Sequence, residues 1–357
     1  MAWNYINAKR VIIRPENVNL AVPSVKISTM PMRTLPQVLD QITAFAQNNP
    51  FPGSPAELYE PCAYIMTLGG KRLRPALVLL GYELFQDHVE NALPAAWAVE
   101  LFHNFSLMHD DIMDAAPLRR GQPTVHHKWD TTTAILSGDV MLIYAYRFLA
   151  QSGDAETCLR LIEIFNRLAT EVCEGQQMDV NFETRAEVSI PEYLRMIELK
   201  TAVLLGGALE MGATCSKASL EDAQNLYQFG RLAGIAFQIQ DDLLDTYGDP
   251  AKFGKQVGGD ILQNKKTLLV LKTLETASEA DVRALQTWMQ TSASENPDEK
   301  VAAVRAIFDR NDIPALVAAE KKRIQMEAFQ HLDAVKVSTE RKEILSKTVA
   351  DLLERDS

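Results

Sequence analysis

Twice in this chain an apolar run with helical periodicity closes on two adjacent aspartates, two apolar residues and a third aspartate. The first stretch is His109-Asp110-Asp111-Ile112-Met113-Asp114 and the second is Gln240-Asp241-Asp242-Leu243-Leu244-Asp245. Before the first, Val99, Phe102, Phe105, Ser106 and Met108 fall on or near one stripe; before the second, Leu232, Ile235, Ala236 and Ile239 do the same. Helical positions four apart share a face, so Asp110 pairs with Asp114 and Asp241 with Asp245, while Asp111 and Asp242 are turned about 100° away. Carboxylates gathered beside apolar stripes repel one another and resist burial. Hard divalent cations resolve that conflict. An all-oxygen ligand set favours magnesium, which binds through one or two carboxylates plus phosphate oxygens. Two solvated acidic helix ends are the plain alternative, and the repetition of one pattern weighs against it.

The rest of the chain is organised around helices. Residues 1–34 stand apart: β-branched runs such as Val11-Ile12-Ile13, broken by Pro15 and Pro23, predict a short extended arm, with short strands and no assigned role. From Leu35 to residue 357 the periodicity predicts one all-α unit, a single large helical bundle. Helices are predicted over about 36–47, 56–67, a segment following Pro75, 92–113, 131–150, 155–180, 191–213, 220–246 and from about 260 onward, with no strand pattern after residue 34.

Each acidic stretch has a basic counterpart. Gly69-Gly70-Lys71-Arg72-Leu73-Arg74-Pro75 sits at a loop-to-helix junction, where free N–H groups and the helix dipole attract phosphate. The Walker order is missing, so this is not a nucleotide-type loop. Arg119-Arg120-Gly121 follows the first aspartate motif; Lys252, Lys255, Lys265 and Lys266 follow the second. A substrate with diphosphate groups explains both signs: cations bridge the aspartates to phosphate oxygens, and Lys and Arg take the remaining oxygens.

A net charge of -11 argues against a nucleic-acid partner. The four cysteines are scattered, with no CxxC, and read as small buried hydrophobes in a reducing compartment rather than a zinc site. No apolar run reaches the length of a membrane span and the N-terminus has no signal-peptide core, so a cytoplasmic protein is expected.

At these residues the chain resembles the trans-isoprenyl diphosphate synthases, the polyprenyl synthetase family. The likeness is carried by Gly69 to Pro75, Glu100 to Asp114 with Arg119-Arg120, Lys200-Thr201, Phe237 to Asp245, and Gly254-Lys255 through Lys265. It does not extend to residues 1–34. It implies the isoprenoid synthase fold, a helical bundle around a deep central cavity, working as a homodimer. It also implies about three magnesium ions on the allylic diphosphate. By position, Asp110, Asp114 and Asp241 become the metal ligands, with Asp111, Asp242 and Asp245 behind them. Lys71, Arg74, His103 and Arg120 become the isopentenyl diphosphate site. Arg119, Lys200, Thr201, Gln238, Lys255 and Lys265 become the allylic diphosphate site; Thr201 and Gln238 also place oxygen dipoles near a cation. Taken alone, His103 reads as a helix histidine and Lys200 as a surface lysine.

The implied reaction is a magnesium-dependent head-to-tail condensation of isopentenyl diphosphate with an allylic diphosphate. The product tail would run down the helix from Asp110. Ser106 and Phe105, four and five residues back, lie about one turn below the acids, and Phe102 one turn further. An aromatic Phe105 limits the tail, which favours geranylgeranyl diphosphate, with farnesyl diphosphate the alternative. A terpene cyclase would carry a different second metal motif, and a non-catalytic regulatory subunit would lack one of the two.

Overall fold

The computed structural model describes residues 32–248, 258–291 and 296–354. The predicted arm therefore lies outside the described residues except at its last three positions, and Lys255 lies outside them too. Arg33, at the arm's end, pairs with the buried Glu83 carboxylate and donates to the Asp87 carbonyl at 2.9 Å, fastening the chain to the bundle.

The chain forms an all-α bundle. In order the helices are α1 (Leu35–Asn48), α2 (Ala56–Thr67), α3 (Leu73–Glu83), α4 (Leu93–Met113), a short α5 (Val125–Lys128), α6 (Thr131–Leu149), α7 (Ala155–Thr184), α8 (Ile190–Ile197), α9 (Val203–Cys215) and α10 (Leu220–Tyr247). Then come α11 (Gly259–Leu262), α12 (Leu268–Thr276), α13 (Glu279–Gln290), α14 (Pro297–Arg310), α15 (Ile313–Ala334) and α16 (Thr339–Leu353). Side-chain caps start several of them. The Asp130 and Asp154 carboxylates accept the Thr133 and Thr157 amides at 2.8 and 2.9 Å, and Ser219 accepts the Asp222 amide at 3.1 Å.

Helix α9 is the central post. It is buried from Val203 to Ala213 and apolar there except at Glu210, which pairs with Arg167 of α7. Helices α3, α7 and α10 pack around it, α15 covers α10, and α4 pairs with α6. The α9–α10 crossing is close because glycine meets glycine: a Cβ on Gly230 would lie 2.7 Å from the Gly206 Cα. One continuous hydrophobic core runs from Val38 to Leu353.

Two predictions need correction. The segment expected as one helix over 191–213 is three pieces: α8, a π-turn over Glu198–Ala202, and α9 ending at Cys215. A π-turn adds one residue and shifts the phase of the pattern, but α9 beyond it is buried from Val203 to Ala213, so there is no polar face whose shift would reveal it. Strands also occur after residue 34. β1 (Leu118–Arg119) and β2 (Gln122–Pro123) form a hairpin with Leu118 opposite Pro123 and Arg119 opposite Gln122. Two-residue strands are too short to carry an alternating pattern.

Candidate active site

The predicted site residues that are described lie on α4 and α10, at the start of α3, in the π-turn, in the hairpin and in the loop before α12. Arg119 links the first acidic motif to the basic hairpin. The acidic motif closes α4: Asp114 is its C-cap, and the Asp114 amide still donates to the Asp110 carbonyl at 2.9 Å, which keeps both side chains on one side. Asp111 turns inward, 2% exposed, and receives Arg119 through Nε at 2.8 Å and Nη2 at 2.7 Å. The same Arg119 Nη2 lies 3.7 Å from Asp110. From the π-turn, Lys200 Nζ stands 3.4 Å from Asp110 and 2.5 Å from Asp179. Partial burial and the Asp110 charge raise the Asp114 carboxyl above its usual range, while Lys200 and Lys265 pull the other way.

The second motif, at the end of α10, is held differently. The half-buried Asp242 carboxylate accepts the Tyr193 hydroxyl and the Leu268 amide, the latter at 3.2 Å. Burial pushes its carboxyl up to about 7, with Asp260 and Asp241 adding to the effect. Asp245 accepts the Asp260 amide at 2.9 Å, and Asp260 in turn pairs with Lys265 at 3.4 Å. Asp241 and Gln238 are half-buried on the same helix.

The basic corner is built by α3 and the hairpin. Gly69 and Gly70 have φ of 82° and 130°, and Arg72 takes the left-handed conformation as the α3 N-cap. Exposed Lys71 stands between them. The hairpin turn is Arg120-Gly121, with φ of 52° and 75°, the mirror-image geometry that joins two strands by two residues. Arg119, the last residue of β1, reaches the acids, while Arg120 is turned away by its left-handed backbone and covers Gly70, where a Cβ would lie 2.7 Å from its guanidinium. Arg74 Nη1 lies 3.2 Å from His103 Nε2, and Arg74 Nε is buried without a protein partner. Burial lowers the Arg74 guanidinium to about 10, opposed by Glu100 and reinforced by Arg120. It therefore stays charged at neutral pH. Burial, then Arg74, Arg120 and Arg119, hold His103 well below its ordinary value. A neutral His103 facing Arg74 accepts at Nε2.

Below the acids a ladder of rings descends. His109 and Phe105 centroids are 4.7 Å apart, Phe105 and Phe102 5.7 Å, Phe102 and Phe165 5.2 Å, and Phe165 and Tyr146 5.0 Å. Phe102 is 1% exposed, whereas Phe105 and Ser106 are half-buried; the Ser106 hydroxyl donates to its own helix at the His103 carbonyl, 2.8 Å away. Phe105 is thus the upper rung and Phe102 belongs to the packed core beneath it.

Sequence reasoning missed Asp179, Tyr193 and Asp260. Asp179 had one signal: Gly175 four residues earlier, a glycine inside a long helix, which costs about 1 kcal/mol against alanine and so calls for a packing reason. Tyr193 and Asp260 carry no local signal. Among the described residues no three His, Cys, Asp or Glu side chains converge as a preformed metal cage. The donors are paired hard oxygens, the set that suits a cation completing its shell with phosphate oxygens. A separate cleft of ≈ 310 Å³ lies at the other end of α7, lined by Asp154, Arg160, Glu163 and Lys217 and by no residue of either motif.

An all-helical bundle whose acidic helix ends face clustered arginines and lysines defines a protein that handles phosphate-bearing anions. The polyprenyl synthetase family model matches residues 55–307. A geranylgeranyl diphosphate synthase of Methanosarcina mazei is 43% identical over 229 residues, 64% of this chain and 71% of that protein. A short chain isoprenyl diphosphate synthase of Methanothermobacter thermautotrophicus is 38% identical over 307 residues, 85% of this chain and 92% of that one. A geranylfarnesyl diphosphate synthase of Natronomonas pharaonis is 38% identical over 279 residues, covering 72% and 79%. Among solved structures, a geranylgeranyl pyrophosphate synthase superposes with a TM-score of 0.87 at 43% identity, over 91% of this chain and 100% of that one. The geranylgeranyl pyrophosphate synthetase of Pyrococcus horikoshii Ot3 gives 0.81 at 33% identity, over 89% and 95%. This chain belongs to the polyprenyl synthetase family.

Proposed function

We propose that this prenyltransferase condenses isopentenyl diphosphate head-to-tail with an allylic diphosphate and releases geranylgeranyl diphosphate as its main product. The observation that carries the reading is the hairpin: Arg119 sits on the acid motif while Arg120 covers the glycine corner, so two anion sites of different make stand side by side. The names borne by the relatives support the chain length, and Phe105 as the upper ring supports a short product. Farnesyl diphosphate is the alternative a tighter Phe105 floor would give.

The residues divide the work. Lys71, Arg74 and Arg120, with His103 behind Arg74, hold the isopentenyl diphosphate. Arg119, Lys200, Lys255 and Lys265 take the allylic diphosphate. Asp110, Asp114 and Asp241 would hold magnesium, about three ions with substrate bound, and the metal would supply positive charge against the departing diphosphate. The allylic C–O bond breaks, and Lys200 and Arg119 stabilise the leaving oxygens. Thr201 and Gln238 turn oxygen dipoles toward the allylic cation. The isopentenyl double bond, fixed by its own diphosphate, attacks it. The released diphosphate then accepts the proton. The ring ladder excludes water from the tail.

We also place the enzyme in a homodimer. Ile135, Leu136 and Ile143 on α6 are 43, 54 and 64% exposed, an apolar strip that a second copy would cover. A cytoplasmic location is supported by the four cysteines, all of them free thiols.

A product assay tests the function. Purified protein is incubated with isopentenyl diphosphate and dimethylallyl, geranyl or farnesyl diphosphate, with and without magnesium, and the products are sized. The reading requires a magnesium-dependent ladder ending at geranylgeranyl. No condensation with any primer by folded protein would reject it.

A further inference from the structure

Helix α7 meets the π-turn through two residues one helical turn apart, Gly175 and Asp179. Gly175 is buried, and a Cβ there would lie 2.2 Å from the Lys200 backbone nitrogen, 2.6 Å from the Leu199 carbonyl carbon and 2.7 Å from the Lys200 Cα. These are backbone atoms and cannot rotate aside. One turn on, the Asp179 carboxylate accepts from Lys200 Nζ at 2.5 Å. The widened turn over Glu198–Ala202 therefore rests its backbone on Gly175 while its lysine side chain is tied to Asp179. Helix, glycine and carboxylate together fix both ends of Lys200. Its neighbour Thr201 follows from the same turn.

We propose that Gly175 and Asp179 are positioning residues that seat the π-turn and set where Lys200 and Thr201 stand relative to Asp110. They act through Lys200, 3.4 Å from Asp110, and not on substrate. The mid-helix glycine is then the contact surface for the widened turn, which explains why α7 tolerates its helical cost. The consequence for turnover rests on the prenyl-transfer reading; the seating itself does not.

The test uses Gly175→Ala and Asp179→Asn in the full chain, with Cys173→Ala, on the exposed side of α7, as control. Two readouts are taken. Amide hydrogen exchange over residues 198–202 reports the seat directly, and it should quicken in both variants while peptides from α9 and α10 stay unchanged. Steady-state kinetics report its consequence: kcat should fall by about tenfold to a hundredfold, because misplacement by about 1 Å costs that much. The KM for isopentenyl diphosphate should stay within about twofold, since the basic corner is untouched. If Gly175→Ala does not fold, Asp179→Asn, which keeps the volume, decides alone. Unchanged exchange over 198–202, or a wild-type kcat in a folded variant, would overturn the proposal. A wild-type protein that condenses nothing would reject the prenyl-transfer reading instead, and the exchange result would still decide the seat.

Discussion

The two aspartate motifs read alike and are held by opposite means. In the first, the inward Asp111 is met by a guanidinium. In the second, the inward Asp242 is met by the Tyr193 hydroxyl and one amide, and burial pushes it up to about 7. A charged partner compensates a buried carboxylate; neutral donors compensate it in part. One five-residue pattern therefore yields two electrostatic environments, and the difference comes from what meets the inward aspartate: the neighbouring hairpin, eight residues on, for one, and the more distant α8 and start of α12 for the other.

The largest expected effect ignores that difference. Asp110→Ala and Asp241→Ala should each lower kcat by about a hundredfold to a thousandfold with the helical circular dichroism kept, since both remove a ligand that acts in the transition state. Near-normal turnover in either one would remove that motif from the metal site. The next effect sharpens the contrast. Arg119→Met strands the buried Asp111 charge and should cost about 3 kcal/mol in urea unfolding. Tyr193→Phe removes one hydrogen bond from Asp242 and should cost about 1 kcal/mol. Equal losses would mean the two environments do not differ as described.

Arg120→Asn probes the basic corner. Arg120 sits at φ 52°, a conformation asparagine adopts more readily. The melting temperature should hold or rise while the KM for isopentenyl diphosphate climbs about tenfold, the loss of one charge-assisted contact. A lower melting temperature with unchanged KM would show the arginine to be structural. The smallest effect is on product size. Phe105→Ala should lengthen the product by about one isoprene unit, roughly the height of one helical turn, before the packed Phe102–Phe165 pair stops it. An unchanged product would remove Phe105 as the floor.

The helices and both charged clusters were legible in the sequence because they are local patterns. Leu232, Ile235, Ala236 and Ile239, read as a stripe, are all buried, and Arg74 does sit in the first turn of α3. What escaped was tertiary. Tyr193 meets Asp242 across 49 residues of chain, and Asp179 meets Lys200 across 21. No spacing rule connects such pairs. The hairpin escaped for another reason: Arg119-Arg120-Gly121 reads as a basic turn, the resemblance alone assigned its two arginines to different sites, and the fold supplies the geometry, with Arg119 on Asp111 and Arg120 over Gly70.

That division of labour is the central claim, and calorimetric titration tests it directly. Isopentenyl diphosphate and a non-reacting allylic diphosphate analogue are each titrated with magnesium and with chelator, into wild type and Arg120→Asn. Isopentenyl diphosphate should bind with or without magnesium and weaken in the variant; the analogue should need magnesium and be indifferent to the variant. An analogue that binds equally well in chelator, or a variant that weakens both ligands alike, would contradict the account.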